Sequence, residues 1–139
     1  MAECVRDVMT REPLQISAEK TIAGAARLMR DEDIGDLIVS DGNRVLGMVT
    51  DRDIVIRAIA EGLDPERDTV DAVFSGGVST VSPDAPIEEA VRMMRENAVR
   101  RLPVVDGGAL VGVVSLGDLA VKRDETSALA DISAAPPNK

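Results

Sequence analysis

The chain has 139 residues and a formal charge of −9, from 16 basic and 25 acidic side chains. Its 45% apolar and 29% charged residues are the balance of a globular protein with one ordinary domain or two small ones. It contains no histidine, tryptophan or tyrosine, which excludes Ser-His and Cys-His nucleophile pairs and imidazole-ligated zinc sites. An acidic chain with one phenylalanine also lacks aromatic platforms for single-stranded nucleic acid, so we expect no nucleic-acid partner.

The start of the chain and its single cysteine bear on where the protein matures. Glu3, Arg6 and Asp7 lie within the first ten residues, so the sequence predicts no secretory signal peptide. Cys4 has no second cysteine for an internal disulfide, which favours a reducing compartment. No apolar run approaches the ~18 residues of a membrane span. We therefore expect a cytoplasmic protein with no membrane partner.

The sequence matches itself without gaps when it is shifted by 65 residues. Residues 5–56 then lie over residues 70–121, with 15 identities in 52 pairs. Such self-similarity indicates a tandem duplication. We place the two copies at 1–66 and 67–124 and predict a loose C-terminal tail at 125–139.

Each copy shows the same order of elements, β-α-β-β-α. Apolar residues at helical spacing follow a short apolar strand, and two β-branched runs separated by an Asp-Gly turn come next. The first copy predicts strands at Leu14–Ile16, Leu37–Val39 and Val45–Val49, with helices beginning at Ile22 and spanning Asp51–Ala60. The second predicts strands at Thr80–Val81, Leu102–Val105 and Leu110–Val114, with helices beginning at Ile87 and spanning Leu116–Arg123. This pattern predicts a mixed α/β fold in which two copies pack with pseudo-twofold symmetry.

The segment Gly47–Asp53 is matched by Gly112–Asp118. In both, a strand ends at a hydroxyl residue, Thr50 or Ser115, and an acid follows three residues later. One interpretation is structural, because a hydroxyl and an acid at this spacing resemble a helix capping box. The other is functional, because a hydroxyl and N–H groups at a helix start can bind an anion, and the acid can accept both hydroxyls of a ribose.

Two adjacent arginines, Arg100 and Arg101, enter the second copy's Arg-Arg-Leu-Pro-Val-Val strand. They are either solvated edge charges or partners of a bound phosphate, whose oxygens suit the planar guanidinium. The first copy has Asp36 where the second has Arg101. The two copies therefore cannot offer equal anion sites.

The duplicated unit, the two Gly-x-x-Thr/Ser-x-x-Asp segments and the Arg-Arg-Leu-Pro-Val-Val strand resemble a pair of cystathionine-β-synthase (CBS) domains, the Bateman module. The resemblance covers residues 5–122, and within it the sequence is similar to small stand-alone bacterial CBS-pair proteins. It implies that AMP, ADP, ATP or S-adenosylmethionine binds in clefts between the copies. It also implies a regulatory function, a stress-response setting and a homodimer.

The resemblance further implies that the motif acid holds the ribose hydroxyls and that the Thr or Ser lies near ribose and phosphate. The residues implied for the stronger cleft are Thr50, Asp53, Met48, Ala85, Ala90, Val99, Arg100 and Arg101. Those implied for the weaker cleft are Ser115, Asp118, Val113, Lys20, Ala25, Ile34 and Gly35. Each cleft joins one copy's motif to residues of the opposite copy, and Asp36 would repel phosphate in the weaker one.

Three functions follow in order of preference. The first is a non-enzymatic regulatory module that binds an adenosine-containing ligand and signals to an unidentified effector protein. The second is a ligand-free structural or interaction module whose Thr/Ser-x-x-Asp segments only cap helices. An enzyme comes last, because the sequence shows no convergent acid/base pair and no metal-ligand spacing. We therefore expect no catalytic residues, no metal and no cofactor beyond a regulatory ligand.

Overall fold

The computed structural model describes the backbone of residues 3–123 and the side chains of residues 3–120. The proposed tail at 125–139 lies outside the described residues. The first copy contains β1 (Thr10–Arg11), β2 (Gln15–Ser17), α1 (Ile22–Glu32), β3 (Asp36–Asp41), β4 (Arg44–Thr50) and α2, which starts at Asp51. The second contains β5 (Ser75–Gly76), α3 (Ile87–Asn97), β6 (Arg101–Asp106), β7 (Ala109–Ser115) and α4 (Leu116–Arg123). Short 3₁₀ turns at Val5–Asp7 and Val70–Ala72 precede β1 and β5. The mixed α/β prediction is confirmed.

The chain divides into two compact units, one of which combines residues 3–13 with residues 79–123, while the other is Leu14–Val78. The first of these holds a three-stranded sheet in the order β1-β7-β6, and the second a four-stranded sheet in the order β2-β3-β4-β5. In each sheet the long hairpin, β3-β4 or β6-β7, is antiparallel and turns at an Asp-Gly pair. β2 runs parallel to β3.

Each unit has its own apolar core beneath the first helix of its repeat. In Leu14–Val78 the core stripe of α1 is Ile22, Ala25 and Met29. Thr21 caps this helix by accepting a hydrogen bond from the Gly24 N–H at 3.0 Å. In the other unit, α3 buries a stripe at the same spacing, formed by Ile87, Ala90 and Met94. The apolar periodicity therefore predicted both core faces correctly.

The second helix of the first copy differs from an ordinary α-helix. Asp51–Asp53 forms one α-helical turn, and the chain continues as a π-helix over Ile54–Ile59. We use α2 for both parts together. The Ala60 N–H donates to the Val55 carbonyl at 2.9 Å, which is the wider i to i+5 spacing. Periodicity alone predicted a helix here without this change of pitch.

The predicted strand at Thr80–Val81 is wrong, because the structure has only an isolated parallel bridge between Val81 and Val104 there. Val81 N–H donates to the Pro103 carbonyl, and Val105 N–H donates to the Val81 carbonyl. Pro103 has no N–H to donate to the Ser79 carbonyl, so the ladder cannot extend in that direction. In the first copy Ile38 stands at the equivalent position, and β2 forms.

The opening segment of each copy packs in the unit that holds the rest of the other copy. Val5 N–H donates to the Ala85 carbonyl at 2.9 Å, and Val70 N–H donates to the Lys20 carbonyl at 2.8 Å. These two bonds are equivalent under the 65-residue shift. Val5 and Val70 are each fully buried in the core of the unit they enter. The proposed copies at 1–66 and 67–124 describe the duplication, whereas the compact units exchange these opening segments.

Within the described part of the chain, no helix combines the length and apolar character needed to cross a membrane.

The exchange predicts which unit each buried valine stabilises. Val5→Ala should lower the free energy of unfolding by about 2 kcal/mol, because it removes buried carbon atoms and leaves a cavity. Hydrogen exchange should then rise in β6 and β7, whereas Val70→Ala should raise it in β3 and β4. Leu14→Ala is the control, because Leu14 is 40% exposed and lies outside both cores. If Val5→Ala raised hydrogen exchange in β3 and β4 and left β6 and β7 unchanged, Val5 would not belong to the core of the unit that contains β6 and β7.

Candidate functional site

The two Thr/Ser-x-x-Asp segments form strand-to-helix corners with the same geometry. In one, the Asp53 N–H donates to Thr50 Oγ1 at 3.0 Å, and the Thr50 N–H donates to Asp53 Oδ2 at 2.9 Å. In the other, the Asp118 N–H donates to Ser115 Oγ at 3.1 Å, and the Ser115 N–H donates to Asp118 Oδ2 at 3.0 Å. Both are reciprocal capping boxes, so the capping geometry that the spacing predicts is present at both segments.

The capping hydrogen bond occupies only one oxygen of the Asp53 carboxylate. The cap uses Oδ2, while Oδ1 lies 3.7 Å from Nε of Arg57 in the next turn of the helix. The Asp53 side chain is 14% exposed and that of Arg57 is 53% exposed. One carboxylate oxygen is thus fixed by the backbone, and the other faces a cation at the protein surface. This geometry suits an acid that also accepts a hydrogen bond from a ligand hydroxyl.

Backbone bonds hold a second strand against each corner. The Asp51 N–H donates to the Gly35 carbonyl at 2.9 Å, and the Leu116 N–H donates to the Arg100 carbonyl at 2.8 Å. The preceding helices end in left-handed residues, Asp33 at φ 57° and Ala98 at φ 54°. These turns start β3 and β6 beside the corners.

The β-sheet register places opposite charges beside the two motif hydroxyls. Asp36 lies opposite Thr50 in the β3-β4 ladder, and Arg101 lies opposite Ser115 in the β6-β7 ladder. Directly opposed residues of an antiparallel pair project from the same face with Cβ atoms about 5 Å apart. We name the first corner as Gly35, Asp36, Thr50, Asp51 and Asp53. The second corner comprises Arg100, Arg101, Ser115, Leu116 and Asp118.

This grouping within units differs from the grouping that the sequence resemblance implied. Residues Ile34 and Gly35 lie directly before β3, in the unit that contains Thr50 and Asp53. Val99, Arg100 and Arg101 likewise lie in the unit that contains Ser115 and Asp118. The implied contribution of each set to the opposite copy's motif stays a prediction.

The apolar residues implied as ligand contacts lie in two kinds of position. Met48 precedes Thr50 by two residues on β4, so both side chains project from the same face, and Val113 has the same relation to Ser115. Ala25 and Ala90 are fully buried in helix α1 and helix α3. Lys20 and Ala85 lie two residues before these helices and differ in exposure, since Lys20 is exposed and Ala85 is buried. The two helical alanines are therefore core residues in this structure, and their implied ligand contacts stay predictions.

Gly47 and Gly112 have a structural role that the motif alone did not reveal. Gly47 lies opposite Gly76 in β5, and a Cβ at Gly47 would overlap the Ser75 carbonyl oxygen. A Cβ at Gly112 would lie 2.7 Å from Met9 Sδ and 2.9 Å from the Thr10 carbonyl oxygen. The glycines let the short opening strands approach the sheet. A glycine inside a strand pattern was the available signal, because it often marks close backbone approach.

The donor set for a metal ion is poor. The chain has no histidine and a single cysteine. Among the described residues, no group of three or more His, Cys, Asp or Glu side chains could hold a metal ion.

Comparison with known proteins identifies the family. A family model for the CBS domain matches residues 5–59 and again residues 70–124. The CBS domain-containing protein YhcV of Bacillus subtilis is 39% identical over 133 residues, covering 93% of this chain and 94% of that protein. Hypoxic response protein 1 of Mycobacterium tuberculosis is 40% identical over 116 residues, covering 83% and 81%. The chain belongs to the CBS-domain family, and its two copies form a CBS pair.

Solved structures show the same fold. The crystal structure of Hypoxic Response Protein I with two coordinated zinc ions has a TM-score of 0.79 and 38% identity, covering 86% of this chain and 98% of that chain. The CBS domain pair of protein MJ0100, in complex with 5'-methylthioadenosine and S-adenosyl-L-methionine, has a TM-score of 0.79 at 22% identity. It covers 91% of this chain and 100% of that chain. The resemblance to CBS pairs inferred from the sequence is confirmed.

The close approach at the motif glycines predicts unequal costs of substitution. Gly47→Ala should destabilise the protein strongly, because the new methyl group overlaps a backbone carbonyl that is held in a sheet. Gly112→Ala should also destabilise the protein but cost less, because the Thr10 carbonyl oxygen lies farther from the new methyl group, at 2.9 Å, and the Met9 side chain can move away. Chemical denaturation of both variants, with Gly42→Ala as a left-handed turn control, would measure the difference. Equal losses at 47 and 112 would contradict the close-approach argument.

Proposed function

We propose that this CBS pair is a non-enzymatic regulatory module that binds an adenosine-containing ligand at its capped corners. Asp53 and Asp118 accept hydrogen bonds from the ribose hydroxyls, and Thr50 and Ser115 lie near the ribose and its 5' substituent. The observation that supports this most is the duplicated capping box, which fixes one oxygen of the acid and leaves the other outside the cap. AMP, ADP, ATP and S-adenosylmethionine are the candidate ligands.

Regulation requires that the ligand stabilise one state of the module more than another. The CBS pair of MJ0100 is described with two adenosyl compounds. We extend the ligand class, and nothing more, from that protein to this chain. An effector protein would read the ligand-bound state. The function fits a cytoplasmic stress response, in which adenine nucleotide levels report the energy supply.

A ligand-free structural module is the alternative, because the complete capping boxes also account for the Thr/Ser-x-x-Asp segments without a ligand. The two functions differ in what the carboxylate charge does. For a cap, an asparagine oxygen accepts the same backbone N–H. For a ribose, the negative oxygen is the stronger acceptor.

The first test is therefore Asp53→Asn and Asp118→Asn, singly and together. Each should lower stability by less than about 1 kcal/mol, because the cap is kept. The double variant should lose binding of adenosine-containing ligands in calorimetric titration. The chain has no tryptophan or tyrosine, so a co-purified adenine would dominate the ultraviolet spectrum of the wild type and vanish in the double variant.

Asp41→Asn is the matched control for the first corner, because Asp41 is exposed at the far end of β3 and belongs to no capping box. Asp106→Asn serves the second corner, since Asp106 is exposed at the far end of β6. Unchanged ligand affinity in the double variant would favour the ligand-free alternative. So would a wild type that shows no heat of binding with any of the adenosyl ligands.

We also propose a homodimer that buries the exposed apolar residues of α2. Val55, Ile56 and Ile59 are 56%, 48% and 55% exposed, and they are neighbours on one short helix. A cluster of large apolar side chains in water commonly marks an association surface. Association through this helix would place the first corner, at the start of α2, close to the partner chain. Ligand binding at that corner would then alter assembly.

Replacement of Val55 and Ile59 by serine should convert the dimer to a monomer without loss of the fold, because both side chains are largely exposed. Light scattering after size exclusion would measure the mass. Leu14→Ser is the control, since Leu14 is 40% exposed and lies outside α2. A wild type that is monomeric at all concentrations, or a serine variant that stays dimeric, would rule out this interface.

A further inference from the structure

Residues 3–11, which we name the N-terminal arm, complete the unit that contains β6 and β7. The Val5 N–H donates to the Ala85 carbonyl at 2.9 Å, and the Arg6 N–H donates to the Pro83 carbonyl at 2.8 Å. β1 of the arm pairs with β7 and covers one edge of the three-stranded sheet. Without the arm, the core would lack the fully buried Val5, and β7 would become an edge strand open to pairing.

An ion pair marks the place where the arm docks. Arg6 Nη1 lies 2.5 Å from Asp84 Oδ1. The 65-residue shift relates Arg6 to Asp71 and Asp84 to Glu19, so the equivalent positions in the other unit are both acidic. The arm and its docking site therefore carry a matched pair of charges that can be exchanged by substitution.

The hinge between the arm and the next unit has a strained backbone. Glu12 adopts φ 53°, whereas the equivalent residue of the second copy is Gly77 at φ 67°. A left-handed conformation is costly for any residue with a Cβ atom, but not for glycine. Pro13 follows Glu12, and a residue before proline prefers an extended backbone. An extended hinge would relieve both conflicts and carry the arm away from its own unit.

We propose that the arm docks on the equivalent site of a second copy of this chain, so that two chains exchange arms when Glu12 becomes extended. The exchanged dimer keeps the arm's contacts and relieves the backbone at two hinges. The local concentration of the arm beside its own site opposes exchange, and short linkers give values in the millimolar range. Exchange therefore occurs when the chain folds at high protein concentration. It requires neither a bound ligand nor the interface proposed for α2.

The natural cysteine provides a direct test, because Cys4 forms an isolated antiparallel bridge with Pro86. The Cα atoms of such partners lie about 4.5–5.5 Å apart, a distance that a disulfide spans. Pro86 has φ −67° and ψ 152°, which cysteine also adopts. The full chain with Pro86→Cys is unfolded, refolded at several protein concentrations up to about millimolar, and oxidised. A denaturing gel without reductant then separates the products.

A closed arm gives an internally crosslinked monomer, and exchanged arms give a covalent dimer. We expect the monomer after dilute refolding and an increasing share of dimer as the concentration approaches the millimolar range. Arg95→Cys is the matched control, because Arg95 is exposed near the other end of α3. Monomer alone at every concentration would overturn the inference. So would as much dimer from Arg95→Cys as from Pro86→Cys, since the crosslink would then be nonspecific.

The hinge is tested by Glu12→Gly and Glu12→Gln, each combined with Pro86→Cys. Glycine removes the conflict of the closed hinge, which corresponds to about tenfold per hinge. Because a dimer has two hinges, the concentration needed for dimer should rise about a hundredfold. Glutamine removes the same charge but keeps the Cβ atom, so it should leave this concentration within about twofold. Equal behaviour of the two variants would show that hinge strain does not drive exchange.

The ion pair tests the exchange without any added thiol. Arg6→Asp and Asp84→Arg each place like charges together in a closed arm and in a homodimer. When the two variants are refolded together, an exchanged heterodimer restores an opposite-charge pair at both sites. Native mass spectrometry should show several times more heterodimer than random pairing gives, an effect limited by the exposure of these side chains. Random pairing, or no dimer, would overturn the inference.

A final variant separates exchange of the arm from association through α2. Serine at positions 55 and 59, combined with Pro86→Cys, should still give the covalent dimer after refolding at high concentration. Loss of that dimer would show that α2, and not the arm, joins the two chains, and would overturn exchange as an independent route to the dimer.

Discussion

The close approach of a two-residue strand to a glycine in each sheet is the contact on which both units depend. β5 meets Gly47 and β1 meets Gly112, and in each case a side chain on the glycine would meet backbone oxygen. The strands belong to opening segments that also bury Val5 or Val70 in the core they enter. Because these contacts are exchanged between copies, neither copy completes a core from its own sequence alone.

The corners show how one pair of side chains can serve stability and binding together. A reciprocal cap holds the hydroxyl and the acid at fixed distances before any ligand arrives, so a ligand would lose little affinity to ordering them. The same cap explains why motif and function are hard to separate by sequence. Thr50 and Asp53 would stand at this spacing in a protein that binds nothing.

The parts of the fold that local patterns encode were predictable. The stripe Ile22, Ala25 and Met29 identified α1, and the Asp-Gly turns located both long hairpins. Two-residue strands are too short to show a period, and their partners lie far away in sequence, so β1 and β5 were missed. The bridge at Val81 was overestimated as a strand because its limit is set by a proline on the neighbouring strand. The charge at position 101 was visible, but only the sheet register shows which hydroxyl it lies opposite.

The exchange of opening segments has a consequence for the order of events during synthesis. Leu14–Val78 supplies one whole unit in an uninterrupted stretch, so that unit can close while the remainder is still on the ribosome. Residues 3–13 leave the ribosome earlier, yet their partner strand β7 is made only after that whole unit. Throughout that interval the segment with Val5 is without its core, and a finished second copy on another chain could receive it. The duplication looks symmetric in sequence, but its two opening segments meet their partner strands at different times, because β1 is made before β7 whereas β5 is made after β4.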